Sequence, residues 1–152
     1  MIYISKNLDE TLQIVKKFLN SINGEGKATT VAFYGDLGSG KTTFIQFLAK
    51  EMGIEESATS PTFVIQKTYE VPLKPSGLGQ EKKFDKLVHI DAYRLESGGE
   101  LSHLRFEETL SEPNTLICIE WPFNVEGVIP ENSLKVECKF IDENTRTYEF
   151  GN

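Results

Sequence analysis

Eight residues, Gly35-Asp-Leu-Gly-Ser-Gly-Lys-Thr42, restrict this chain more than any other segment. The spacing G-x-x-x-x-G-K-[ST] works only where a strand ends, a loop reverses and a helix begins at once. The flanks agree with that demand. Ala28 to Tyr34 is β-branched and aromatic enough to predict a buried strand, and Thr42 to Lys50 predicts a helix that stops near Gly53. In such a loop Gly35, Gly38 and Gly40 take backbone angles closed to other residues, so that successive N–H groups face one anion. Lys41 adds a point charge, the helix start adds its partial positive charge, and the Thr42 hydroxyl can face Mg²⁺. The ligand class this predicts is a nucleoside triphosphate.

Composition then bounds the architecture. With 152 residues and 39% hydrophobic content, the chain predicts a single α/β domain spanning residues 1–152. A net charge of -7, with no basic cluster longer than Lys82-Lys83, argues against direct tight binding of nucleic acid. Cys118 and Cys138 have neither zinc-site nor disulfide-framework spacing and read as core thiols in a reducing compartment. No stretch approaches 18 apolar residues and the N-terminus lacks a leader pattern, so no membrane partner and a cytoplasmic location are expected.

Leu8, Leu12, Val15, Leu19 and Ile22 recur at helical spacing, with Asn7 and Glu10 placed as a capping box, and predict an amphipathic first helix. A loop is expected from Ile54 to Pro61, then a strand from Thr62 to Val71. The stretch Pro72 to Lys86 is rich in Pro, Gly and Lys and predicts a solvated loop or hairpin. Short apolar strands follow at Lys86–Asp91 and Thr115–Glu120, separated by a helix over about Gly99 to Leu110. Ser133 to Ile141 and Arg146 to Phe150 predict a closing antiparallel pair. The order implies a three-layer α/β sandwich of the phosphate-loop NTPase kind with a mixed central sheet.

Asp91 and Glu120 end their apolar strands, where strand ends converge on the ligand crevice of such folds. An acid for Mg²⁺ and a group that orients water are what phosphate-loop hydrolysis needs, and these two are the candidates. Ser60 and Thr62 follow the phosphate-loop helix, where a nucleotide-sensing segment or a plain strand-initiating turn is expected. Trp121 follows Glu120 directly; a lone tryptophan is by default a core anchor, though at a strand mouth it can cover a ligand. His89 reads as a core histidine and His103 as helix surface. Arginine is scarce, which favours hydrolysis over small-molecule kinase chemistry with its arginine-bearing lid. No Asn-Lys-x-Asp segment supports guanine recognition.

Four segments in order, the phosphate loop through Phe44, Ser60-Pro-Thr-Phe63, His89-Ile-Asp-Ala-Tyr-Arg-Leu95 and Ile119-Glu-Trp-Pro122, give the chain a family pattern. It resembles the bacterial ATPase family of tRNA threonylcarbamoyladenosine biosynthesis, TsaE, also called YjeE, from Ser5 to about Arg146. The resemblance implies a cytoplasmic Mg²⁺-dependent ATPase that resets a complex of threonylcarbamoyl transferase (TsaD-like) and paralogous scaffold (TsaB-like), meeting tRNA only through those partners. It implies that Lys41 binds phosphate, that Thr42 and Glu120 hold Mg²⁺ and that Asp91 assists hydrolysis. Nucleotide contacts are expected from Thr11, Asp36, Leu37, Gly38, Ser39, Gly40, Lys41, Thr42, Thr43, Ser60, Thr62, Trp121 and Arg146. ATP as the nucleotide comes from the resemblance. Ala92, where the family often has Leu, and the long 72–86 insertion depart from its pattern. The competing readings are a metabolite or nucleoside kinase and a nucleotide-dependent assembly clamp without turnover.

Overall fold

The computed structural model describes residues 1–24, 26–55, 65–73 and 82–152. Its elements are β1 (Ile2–Ser5), α1 (Leu8–Ser21), β2 (Thr29–Tyr34), α2 (Lys41–Glu51), β3 (Gln66–Glu70), β4 (Lys86–Asp91), α3 (Gly99–Ser102), α4 (Phe106–Ser111), β5 (Thr115–Glu120), a 3-10 segment (Pro122–Val128), β6 (Leu134–Phe140) and β7 (Arg146–Gly151). The strands form one seven-stranded sheet in the order β1-β7-β6-β2-β5-β4-β3. Strands β6, β2, β5 and β4 are parallel; β7 runs antiparallel to β6, β1 to β7, and β3 to β4. This is the mixed α/β sandwich expected from the sequence.

Alternation along the strands builds two cores. Val31, Phe33, Leu87, Leu116 and Cys118 face α1 and α2, packing with Val15, Phe18, Phe44 and Leu48. Val88, Ile90, Ile117 and Ile119 face the opposite layer, against Leu101, Phe106 and Val125. Because side chains two apart share a face, His89 and Asp91 of β4, and Glu120 of β5, all lie on the α2 side. That parity decides where the chemistry is built.

Three expectations need correction, and one strand was not expected at all. In α1 the buried stripe is Thr11, Ile14, Val15 and Phe18, while Leu8 is exposed, so the inward face is rotated from the leucine stripe. The cap is as expected: the Asn7 side chain accepts from the Glu10 N–H at 2.9 Å, and the Glu10 carboxylate accepts from the Lys6 N–H at 2.8 Å. The helix expected over 99–110 is two, broken at Arg105, whose φ of 58° is left-handed. Leu101 and Phe106 are both buried in the same core; five residues along one continuous helix would turn them about 140° apart. The break lets both reach the sheet. Strand β1 carries no expectation from the sequence, since Ile-Tyr-Ile has no apolar/polar alternation; it adds an edge through Tyr3, whose ring packs on Phe150 at 5.0 Å.

The third correction concerns the 72–86 stretch, of which residues 74–81 lie outside those described. Its end is not a solvated loop. Phe84 is buried in the α1/α2 core, and Lys83 Nζ donates to the carbonyls of Leu19 (3.1 Å), Asn20 (2.9 Å) and Ile22 (3.1 Å). Helix α1 has no basic residue in its own last turn, so this distant lysine satisfies its orphan carbonyls and complements its dipole. Lys83→Met is expected to lower stability by about 1 kcal/mol, less than a buried charged hydrogen bond would because the amine is partly solvated. Urea unfolding measures it, and an unchanged midpoint would mean that the cap contributes nothing.

Candidate nucleotide site

Strand β2 ends at Tyr34, and the backbone turns through Gly35 (φ 135°), Gly38 (φ 78°) and Gly40 (φ 103°) into α2. Helix α2 starts at Lys41 with Gly40 as its N-cap, no side-chain cap and no acidic residue in its first turn. Its leading N–H groups and dipole are therefore presented to whatever lies in front of them, the arrangement that binds phosphate.

Lys41 is buried at the centre. Its Nζ donates to the carbonyls of Gly35 at 2.6 Å and Asp36 at 2.8 Å, and lies 4.3 Å from the centre of the Trp121 ring. Burial pulls its pKa below the ordinary lysine value, against the opposing pull of the Glu120 carboxylate. Trp121 occupies this place because the residue that follows β5 is left-handed: its φ is 57°, so the chain turns sharply after Glu120 and the indole lies against Tyr93 at 5.0 Å. The core-anchor expectation is thus half right. The ring packs against the α3/α4 core and also lines the cavity.

Glu120 is buried at 2% exposure, with each oxygen facing a different group. The Thr42 hydroxyl donates to Oε1 at 2.6 Å, and His89 Nε2 lies 3.4 Å from Oε2. Burial alone would raise this carboxyl, but His89, Thr42 and Lys41 together outweigh it and hold the pKa below the usual carboxylate value. Asp91 is level with Glu120 in the β4/β5 register, and its Oδ1 accepts the Tyr93 N–H at 3.0 Å. His89 is fully buried, the core histidine expected, and His103 is exposed as expected.

These groups line one cavity of about 860 Å³, within the range of small-molecule sites. Of the expected residues it gathers Thr11, Leu37, Gly38, Gly40, Lys41, Thr42, Thr43, Asp91, Glu120, Trp121 and Arg146. Asp36 and Ser39 are not on its wall: Asp36 gives its carbonyl to Lys41, and Ser39 is buried beneath the loop. Ser60 and Thr62 lie outside the described residues. Thr11 and Arg146 come together because β1 pairs with β7, Ser5 opposite Arg146. Thr11 Oγ1 lies 2.7 Å from Ser5 Oγ, while the Arg146 guanidinium donates to the carbonyls of Asp142 (2.6 Å) and Thr145 (3.0 Å).

The sequence left several wall residues unassigned, among them Asn7, Tyr93, Arg94 and Tyr148. Tyr93 and Arg94 follow Asp91 within the His89 to Leu95 segment, which was their available signal. Tyr148 had none; it is seen to matter because a Cβ on Gly40 would stand 2.8 Å from its hydroxyl. Arg94 and Arg146 place two of the chain's three arginines at the cavity, so scarcity in the sequence is not scarcity at the site. Among the described residues no group of three or more His, Cys, Asp and Glu is assembled to hold a metal, and no helix is long and apolar enough to cross a membrane.

A family model described as threonylcarbamoyl adenosine biosynthesis protein TsaE matches residues 5–148. The tRNA threonylcarbamoyladenosine biosynthesis protein TsaE of Rickettsia felis is 33% identical over 144 residues, 94% of this chain and 75% of that one. Its namesake in Streptomyces coelicolor is 40% identical over 102 residues, 66% of this chain and 60% of that protein. A crystal structure of Bacillus subtilis YdiB aligns with a TM-score of 0.72 over 99% of this chain and 83% of that one; at 24% identity the likeness is one of fold. Matched by the family model over nearly its whole length, and one third identical to a relative most of whose length it covers, the chain belongs to the TsaE family.

Proposed function

We propose that this chain is a Mg²⁺-dependent ATPase acting in tRNA threonylcarbamoyladenosine biosynthesis, in the cytoplasm, its turnover resetting a transferase and scaffold complex that carries the tRNA. The observation that carries the reading is the 2.6 Å bond between Thr42 and Glu120 beside Lys41, which joins the loop to a strand-end acid inside one cavity. The loop amides and Lys41 would bind and orient the phosphates. The Thr42 hydroxyl and the Glu120 carboxylate fit Mg²⁺, an oxygen-seeking ion that needs only one or two protein ligands beside phosphate and water. When bound, it supplies neutralisation of the charge on the phosphate oxygens. Asp91, level with Glu120 and on the same face, would orient a water and accept its proton. Trp121 shields Lys41 from bulk water, which strengthens its field at the phosphate. Binding and positioning are the bulk of what phosphoryl transfer asks of a protein.

The test is a tRNA modification assay with purified transferase and scaffold. Multiple-turnover product should rise when this chain and ATP are added and should not rise with Glu120→Ala. Equal product with and without the chain would end the proposal. Full product with a Glu120→Ala variant that no longer hydrolyses ATP would instead make it a clamp, and phosphate transferred to an added acceptor in preference to water would make it a kinase.

A further inference from the structure

The residue that needs a separate explanation is His89. It is fully buried on β4, on the same face as Leu87, and an aliphatic or aromatic hydrocarbon there would complete the α1/α2 core at lower desolvation cost. Neither ring nitrogen has a partner at full hydrogen-bond geometry among the described residues. What the ring does face is Glu120, with Nε2 3.4 Å from Oε2 while Oε1 takes the Thr42 hydroxyl. The β4/β5 register explains the meeting: His89 lies opposite Cys118, one same-face step before Glu120. The carboxylate is therefore held from two sides, by the loop helix through one oxygen and by the neighbouring strand through the other.

We propose that His89 is a positioning residue that fixes the Glu120 carboxylate for the divalent cation, an inference that rests on the Mg²⁺–nucleotide reading of the cavity. Groups that hold the ligands of a metal set its affinity, and their loss commonly costs on the order of 10- to 100-fold. With the proton on Nε2, the imidazole donates toward Oε2, leaves Nδ1 as a bare acceptor, and keeps the carboxylate from rotating into the core. A tight hydrogen bond is not needed for this. The ring fills the space behind Oε2 and offers its one donor there.

The experiment compares the affinity of a non-hydrolysable ATP analogue in EDTA with that in excess Mg²⁺, by calorimetry, for wild type, His89→Phe and His89→Gln. The Gln amide can replace the Nε2 donor, whereas Phe keeps the ring without it. The wild-type protein should bind more tightly with Mg²⁺. In His89→Phe that gain should fall by about tenfold, toward none, with the EDTA affinity and the thermal midpoint near wild type. In His89→Gln the gain should stay within about threefold of wild type. A full Mg²⁺ gain in folded His89→Phe overturns the assignment, and so does a folded His89→Gln that loses it. Should the Phe variant not fold, His89→Leu, which also removes the donor and suits the apolar surroundings, takes its place beside His89→Gln with the same two outcomes. A wild-type protein that binds the analogue equally with and without Mg²⁺ removes the cation reading itself, a failure separable from that of His89.

Discussion

Alanine at position 41 is expected to cut ATP hydrolysis on the order of 10²-fold or more, the size of effect seen when one preorganised charge is removed from a developing transition state. The structure shows why the loss should be large for a single side chain. Lys41 is buried, so its charge acts with little screening by water, and its reach is fixed at both sides by the Gly35 and Asp36 carbonyls and the Trp121 ring. Arginine should not rescue it, because a forked guanidinium cannot occupy the space of a compact ammonium beneath an indole. Phosphate release under single-turnover, saturating conditions is the measurement, and wild-type rates in Lys41→Ala would remove the loop from the chemistry. The direction of its pKa adds a second signature. A lysine is charged below its pKa, and burial lowers this one, so kcat/KM should fall on the alkaline side at a pH below the ordinary lysine value of about 10.4.

Why Lys41 and its loop were readable from the sequence, while much of the rest of the cavity was not, follows from the range of the interactions involved. The loop, β4 and β5 are local patterns. Lys86–Asp91 and Thr115–Glu120 are apolar runs buried on both faces and bounded by charge or turn residues, and both occur with the bounds expected. Parity along them places both acids on one face without further information. Helix α1 marks the limit of such reasoning. Leu8, Leu12, Val15, Leu19 and Ile22 and the set Thr11, Ile14, Val15 and Phe18 are both helical stripes; they overlap at Val15, and Ile22 of the first is buried in the same core. What chooses the second is tertiary: Phe18 enters an aromatic cluster with Phe44 and Phe150, and the Thr11 hydroxyl meets Ser5. Neither partner is visible within the helix itself.

The same distinction separates the site residues. Lys41, Thr42, Asp91 and Glu120 follow from motif and strand-end position. Thr11 and Arg146 could be named only through a family resemblance, because their meeting depends on the pairing of Ser5 with Arg146, two strands at opposite ends of the chain. Lys83 capping α1 is a contact of the same long-range kind, made by a residue whose neighbourhood reads as a polar loop. Long-range pairing is where a pattern of apolar and polar residues has least to say, and in this chain it supplies one wall of the cavity.

Gly35→Ala is expected to be strongly destabilising for so small a substitution. Its φ of 135° lies where a side chain is strained, and a Cβ built there would run into the Cys138 carbonyl oxygen and stand 2.6 Å from Ser39 Oγ. The first obstacle cannot move away, because it is backbone of β6, held beside β2 by parallel pairing that runs to Tyr34 opposite Glu137. Strain and overlap together should cost about 3 kcal/mol or more, a fall in Tm of roughly 6 to 12 °C for a domain of this size. Gly38→Ala is the internal control. Its φ of 78° is also left-handed, but nothing lies within 4 Å of the added Cβ, so only the conformational cost of about 1 to 2 kcal/mol remains. Thermal melting of the two variants should separate them clearly, with Gly38→Ala the more stable. A Gly35→Ala protein that melts with wild type would mean that the loop does not rest against β6, and the position of Lys41 over the Gly35 and Asp36 carbonyls would then need another explanation.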